Sequence, residues 1–231
     1  MYISQSKALV RGAVYVDSET YLRLFAFQPS RPGLVDSALR DFVMPALCRE
    51  PELLDAYVAR QGPTELGERV IASVWSSAGG ATTGETAVVA QHLAEPDNPL
   101  TAARRECYPV EIELRFPRED PARILRVFRG EVRNGMLLPY VSDVRSGAFA
   151  DAEANPGLVA LYLGIDPPNR FVTISAWTTW EAIEAATGGN VHRPISTSNP
   201  ERIDAFDARH YEILPDALRP APPHAIAMIG G

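Results

Sequence analysis

Histidine is the side chain that moves protons near neutral pH, and this chain has four: His92, His192, His210 and His224. Two hold matched places, His92 seven residues before Pro99 and His192 eight before Pro200. His192 stands in Gly188-Gly189-Asn190-Val191-His192-Arg193-Pro194, a turn-rich stretch that can close over a pocket, with Asn190 and Arg193 as polar or anion contacts. His210 reads equally as a base and as a hydrogen-bonded strand residue, and His224 belongs to the tail. Aromatic residues recur in pairs too, Trp75 with Trp177 and Tyr57 with Tyr162. They are either walls of a binding pocket or filling of the core, and the strand register decides which residues face one another.

Other chemistries lack their motifs. No His-Glu-x-x-His, Gly-x-Ser-x-Gly or dinucleotide fingerprint occurs, and the two cysteines, Cys48 and Cys107, have no metal-ligand spacing. The run from Ser76 to Gly84 superficially suggests a phosphate loop but lacks the Gly-Lys-Ser/Thr end. No metal and no cofactor is therefore expected. A net charge of −7 with scattered Lys and Arg shows no basic face, which sets aside nucleic acid and anionic membranes. The first 16 residues lack a signal-peptide pattern, and no apolar run approaches the ~20 residues of a membrane span. A cytoplasmic protein with reduced thiols is the expectation.

The elements that must position these residues come as a repeat. Leu22-Arg23-Leu24-Phe25 and Leu125-Arg126-Val127-Phe128 are short alternating runs suited to an opening strand. Each is followed by a helical stripe, Val35, Ala38, Leu39, Phe42, Val43, Ala46 and Leu47 in one half and Leu137, Tyr140, Val141, Val144 and Ala148 in the other. Pro45 predicts a kink or an early end to the first, and Asn155-Pro156-Gly157 stops the second. Strands follow at Leu53–Arg60 and Leu158–Ile165, each with its tyrosine six residues beyond a proline, then at Arg69–Trp75 and Phe171–Trp177, each ending in Ser-x-Trp. In the second half Thr178-Thr179-Trp180-Glu181 is a capping box opening a short helix that Gly188-Gly189 ends. In the first half the Ser76–Gly84 run is too glycine-rich for a stable helix, which is expected to begin only near Glu85. Ala103–Leu114 and Ala205–Leu214 close the two halves.

The order is strand, helix, strand, strand, helix, strand, taken twice. This predicts an α+β fold of two tandem ferredoxin-like units, 21–116 and 123–214, joined at Pro117 to Pro121. An N-terminal extension, 1–20, and a Pro-rich tail, 215–231, flank them.

A strand ending in Ser-x-Trp, a short helix and a last strand reading His210-Tyr211-Glu212-Ile213-Leu214 resemble the antibiotic-biosynthesis-monooxygenase superfamily of dimeric α/β barrels, here in a tandem fused form. The resemblance covers the chain from about Tyr21 to Leu214 through short, degenerate motifs. It implies an internal pseudo-dimer closing a fused dimeric α/β barrel, leaves room for a further homodimer, and brings a pocket between sheet and helices. The implied activity is cofactor-independent monooxygenation of a small aromatic or polyketide-like compound. Such chemistry needs an ionised, electron-rich substrate in a dry aromatic pocket. On that reading His192, Tyr162 and Asn190 are catalytic, while Trp177, Arg193, His210, Trp75 and Tyr57 contact substrate. The second half, with its capped helix, is the expected site.

The chain departs from the family at two places. The first-strand asparagine of catalytic and haem-degrading members is Arg23 or Arg126 here, and the helix histidine about ten residues past the tryptophan is Thr187. His192 replaces it only where its loop folds back. The alternative is a non-catalytic binder of a hydrophobic ligand or haem, or a structural pseudo-dimer.

Overall fold

The structure is a computed structural model that describes residues 19–62, 67–93, 101–116, 118–195 and 200–215. Residues 1–18 of the expected extension, Asn98-Pro99, Pro117, Asn199 and the tail from 216, with His224, lie outside the described residues.

Alternating apolar residues form strands where the pattern predicts them. The first half holds β1 (Tyr21–Gln28), β2 (Leu53–Arg60), β3 (Arg69–Trp75) and β4 (Thr101–Arg115). The second holds β5 (Ile124–Val132), β6 (Leu158–Asp166), β7 (Arg170–Trp177) and β8 (Ile203–Ile213). Their hydrogen-bonded order, β1-β3-β2-β8-β5-β7-β6-β4, closes into a barrel, the α+β architecture expected from the repeat. Two compact units share the strands: one has residues 19–110, 123–125 and those from 209 on, the other 111–122 and 126–208. β4 therefore changes unit after Val110, and β8 after Ala208.

In the unit containing β1, the chain leaves the strand into α1 (Pro32–Ala38), a π-helical turn (Leu39–Val43) and α2 (Met44–Leu47). The wide turn is the form the expected kink takes, because Pro45 has no N–H to continue the ladder. Val35, Leu39, Val43, Met44 and Leu47 pack into a core with Phe25, Phe27, Val58 and Ile71. Phe42, expected on the buried stripe, is instead 58% exposed. The π-turn slips the helical period, so Met44 takes the inward place.

The glycine-rich run is helix after all. α3 spans Ala78–Leu93, sixteen residues, and begins before Glu85. Ser77 caps it, its Oγ accepting the Gly80 N–H at 2.9 Å. The glycines are there because Trp75 lies against the helix: a Cβ on Gly84 would come within 2.8 Å of the indole, and one on Gly80 within 3.0 Å. Glycine's helix penalty of about 1 kcal/mol is thus outweighed by the packing of a fully buried tryptophan.

In the unit containing β7, α4 (Leu137–Ala154) stops at the expected Asn155-Pro156-Gly157 and buries Leu137, Tyr140, Val141 and Val144. α5 (Trp180–Ala186) is only seven residues long. Its cap is Thr179, whose Oγ1 accepts the Ala182 N–H at 3.2 Å, while the Thr178 N–H donates to the Gly157 carbonyl. Gly188 and Gly189 end the helix with φ of +65° and +84°. The expected asymmetry is reversed, since the first half has the longer second helix.

The packing gives a test in which two glycines of one helix respond oppositely. Gly79→Ala, whose Cβ would meet only Ser77 Oγ at 3.6 Å, should stabilise by about 0.5–1 kcal/mol. Gly84→Ala should destabilise by about 1–3 kcal/mol through overpacking against Trp75. Urea unfolding midpoints at constant m measure both.

Candidate functional site

Strand register decides which of the paired residues share a face. On β1 and β3, Tyr21 lies opposite Trp75 and Arg23 opposite Ser73, and Ser73 lies opposite Ala56 of β2. Since residues two apart share a face, Arg23, Phe25, Ile71, Ser73 and Trp75 point together. Asp55 and Tyr57 pair with Val74 and Ala72 and so occupy the other face. There the Tyr57 hydroxyl donates to Asp55 Oδ2 at 2.8 Å, both residues being buried.

On the Trp75 face the polar side chains reach one another and the neighbouring helix. The indole N–H donates to Ser73 Oγ at 2.8 Å, and the Arg23 guanidinium donates to the carbonyls of Ala81 and Thr82 in α3. Trp75 is fully buried by sheet and helix.

The other unit repeats the device. The Trp177 indole N–H donates to Ser175 Oγ at 2.8 Å, and Trp177 is likewise fully buried. Arg126 holds the place in the opening strand of the second half that Arg23 holds in the first. Its Nε donates to the Val191 carbonyl at 3.2 Å, its Nη2 to the Arg193 carbonyl, and its guanidinium stands 5.0 Å over the Phe128 ring. Phe128 stacks on Phe206 at 5.3 Å and contacts Phe171 at 5.9 Å, and Phe171 packs on Tyr140 of α4 at 4.3 Å. A cation is therefore held beside a run of aromatic rings.

That cation is out of balance with its surroundings. Arg126 is 1% exposed and has no carboxylate partner among the described residues. Burial lowers its pKa from the ordinary arginine range to about 10, with Tyr140 opposing the shift. Burial pushes the Tyr140 phenol well above the ordinary tyrosine value, against the pull of Arg126, so it keeps its proton. Arg69 of the other unit shows the contrast: equally buried, it makes a two-pronged pair with Asp36, 2.8 Å on each prong.

The residues expected to form the site are only partly brought together. Tyr162 pairs with Ile174 and so points to the face opposite Ser175 and Trp177; the cation of Arg115 lies over its ring at 5.7 Å. The loop from Asn190 to Arg193 does fold back onto β5, but through its backbone carbonyls. Asn190, His192 and Arg193 are exposed, and Asn190 Oδ1 accepts the His192 backbone N–H at 3.1 Å. His210 is half-buried on β8, in the unit of β1. Reasoning from sequence did not group Phe128, Tyr140 and Phe206, and read Arg126 as part of the opening strand and as a departure from the family. Its signal was an arginine amid an apolar strand, Ile124-Leu125-Arg126-Val127-Phe128.

The chain does not fit a haem-ligating set. The helix position ten residues beyond Trp177 is Thr187, buried, with its hydroxyl donating to the Ile183 carbonyl at 2.8 Å. Among the described residues no group of three or more His, Cys, Asp or Glu could hold a metal ion, and no helix is long and apolar enough to cross a membrane.

No family model matches the chain, and no curated protein sequence does. Solved structures do match in fold. A protein of Lactobacillus acidophilus NCFM named "putative monooxygenase" is 11% identical with a TM-score of 0.66, over 88% of this chain and 97% of that one. An anthrone oxidase-like protein is 13% identical with a TM-score of 0.59, over 89% and 98%. A protein named "putative chlorite dismutase" is 11% identical with a TM-score of 0.59, over 87% and 96%. At such identities the likeness shows the fold, and that fold is the one the repeat predicts.

The indole–serine bond is testable in isolation. Ser175→Ala leaves the buried Trp177 N–H without an acceptor and should cost about 1–3 kcal/mol in urea unfolding. Ser175→Thr, which keeps the oxygen, should recover most of it.

Proposed function

We propose that this chain is a cofactor-independent monooxygenase-like enzyme acting on a small aromatic or polyketide-like compound, with its site at Arg126, Phe128, Tyr140 and Trp177. The observation that carries the reading is the buried Arg126 cation, without a carboxylate, beside stacked aromatic rings. The fold supports it by likeness to structures named for monooxygenase and anthrone oxidase chemistry.

The chemistry needs an activated ring CH2 that has lost a proton. Its carbanion reduces dioxygen and forms a C–OO bond; loss of water then leaves a carbonyl, one oxygen atom in the product and the other in water. A guanidinium in a site of low polarity stabilises that anion strongly, because little water competes for it. Tyr140, which keeps its proton, can donate a hydrogen bond to an oxygen of the substrate. His192 is the proton acceptor only if its side chain turns inward from the exposed position it holds.

That exposure favours a second reading, a non-catalytic binder of a hydrophobic ligand. One experiment separates the two. Oxygen consumption is followed with a panel of anthrones and quinols while binding is followed by tryptophan fluorescence. The enzyme reading expects uptake with at least one anthrone, a fall in kcat/KM of about 100-fold or more in Arg126→Met, and little change in Arg23→Met. Binding without uptake for every compound would replace it with the binder.

A further inference from the structure

We propose that two copies of this chain associate through the exposed apolar ridge of Leu34, Ala38 and Phe42, with the helices packed antiparallel about a two-fold axis at Ala38.

The ridge is made by a break in helical period. Leu34 and Phe42 are eight residues apart, which in a regular α-helix turns the second about 80° away from the first. Between them lies the π-helical turn Leu39–Val43, which winds less per residue and takes back most of that angle. Both side chains stand largely in solvent, Leu34 62% and Phe42 58% exposed, while Val35, Leu39 and Val43 face the core. Ala38 lies midway along the same line and is half-buried. Two large apolar side chains aligned on one outer helix face differ from the scattered single ones that every surface carries.

Their spacing selects the partner. A two-fold contact requires a surface that matches itself, and this one does. Leu34 and Phe42 are each four residues from Ala38, so an axis through Ala38 sets Leu34 of one copy against Phe42 of the other at both ends. The small side chain at the crossing lets the two helices approach closely. Charge agrees with the same register. Arg31, exposed one turn before Leu34, has no side-chain partner among the described residues. The two-fold brings it to about 6 Å along the axis from Asp41 of the other copy, an arginine's reach. Asp41 is 50% exposed and pairs only with its neighbour Arg40 among the described residues. In the other half α4 exposes Leu138 to 71% but carries Ser146 eight residues on, so the ridge belongs to one half and assembly closes at two copies. The exposed parts of Leu34 and Phe42 amount to on the order of 200 Å² per copy, well under the ~1,200 Å² total of a standard interface, so the dimer is weak and reversible.

Sedimentation velocity on the intact chain, from about 10 µM to 1 mM, tests this. The weight-average sedimentation coefficient should rise with concentration toward that of a dimer, with a Kd on the order of 0.1 mM. Leu34→Glu and Phe42→Glu, both at exposed positions, should each weaken association about tenfold or more, while Leu138→Glu should leave it unchanged. Arg31→Glu should weaken it several-fold, and adding Asp41→Arg should restore it, which a disturbance of folding would not do. A monomer at 1 mM, a dimer that survives Phe42→Glu, one that Leu138→Glu dissolves, no recovery in the double charge variant, or growth past two copies would each overturn the proposal.

Discussion

A guanidinium buried in an apolar layer must find acceptors, and in this chain that requirement shapes both units. Arg23 and Arg126 stand at the same place on the opening strand of each half, and each reaches across to backbone carbonyls of the segment that follows the Ser-x-Trp strand. The bond therefore ties the first strand to whatever comes after the third. Where the acceptors are carbonyls of a helix, at Ala81 and Thr82, the helix must lie close, and Gly80 and Gly84 let it press on Trp75. Where they are loop carbonyls, at Val191 and Arg193, the helix before them ends early and Gly188 and Gly189 turn the chain back. One constraint thus yields a sixteen-residue helix in one half and a seven-residue helix with a returning loop in the other.

The strands were legible because alternation is a local signal: β2 and β3 begin and end where the apolar pattern does, and Asn155-Pro156-Gly157 stops α4 as its chemistry requires. The misreadings came from tertiary reasons. Glycine weakens an isolated helix, yet α3 keeps Gly80 and Gly84 because an indole occupies the space their side chains would need. Phe42 fits an ideal 3.6-residue stripe, and only the π-turn ahead of Pro45 carries it out to solvent. Neither effect has a period that a sequence displays.

The candidate site was legible in its materials and not in its grouping. Tryptophan, serine and arginine recur at matched spacings, but Tyr57 and Tyr162 fall on the face opposite the tryptophans, because strand parity puts them out of phase. The His192 loop was expected to fold back and does, but it presents main-chain oxygen to the interior and its polar side chains to solvent. Phe206 comes from a strand remote in sequence from β5 and Tyr140 from the helix that follows β5, and their convergence on Phe128 and Phe171 depends on packing.

Electrostatics supplies the last step. Burial lowers the Arg126 pKa to about 10 in the folded chain, below the ordinary arginine value that the unfolded chain keeps. Below pH 10 both states hold the proton, so the folded chain bears the full cost of the buried charge. As pH rises past 10 the folded state releases the proton first, and stability rises with it, since the unfolded state then binds more protons. At neutral pH that relief is out of reach, and the remaining way to offset the cost is a nearby negative charge. A carboxylate on the chain would do this permanently and close the site, as Asp36 does for Arg69. Without one, the cost of the buried charge remains in the folding free energy. A ligand that bound beside Arg126 and neutralised it would raise the stability of the fold through its own binding free energy.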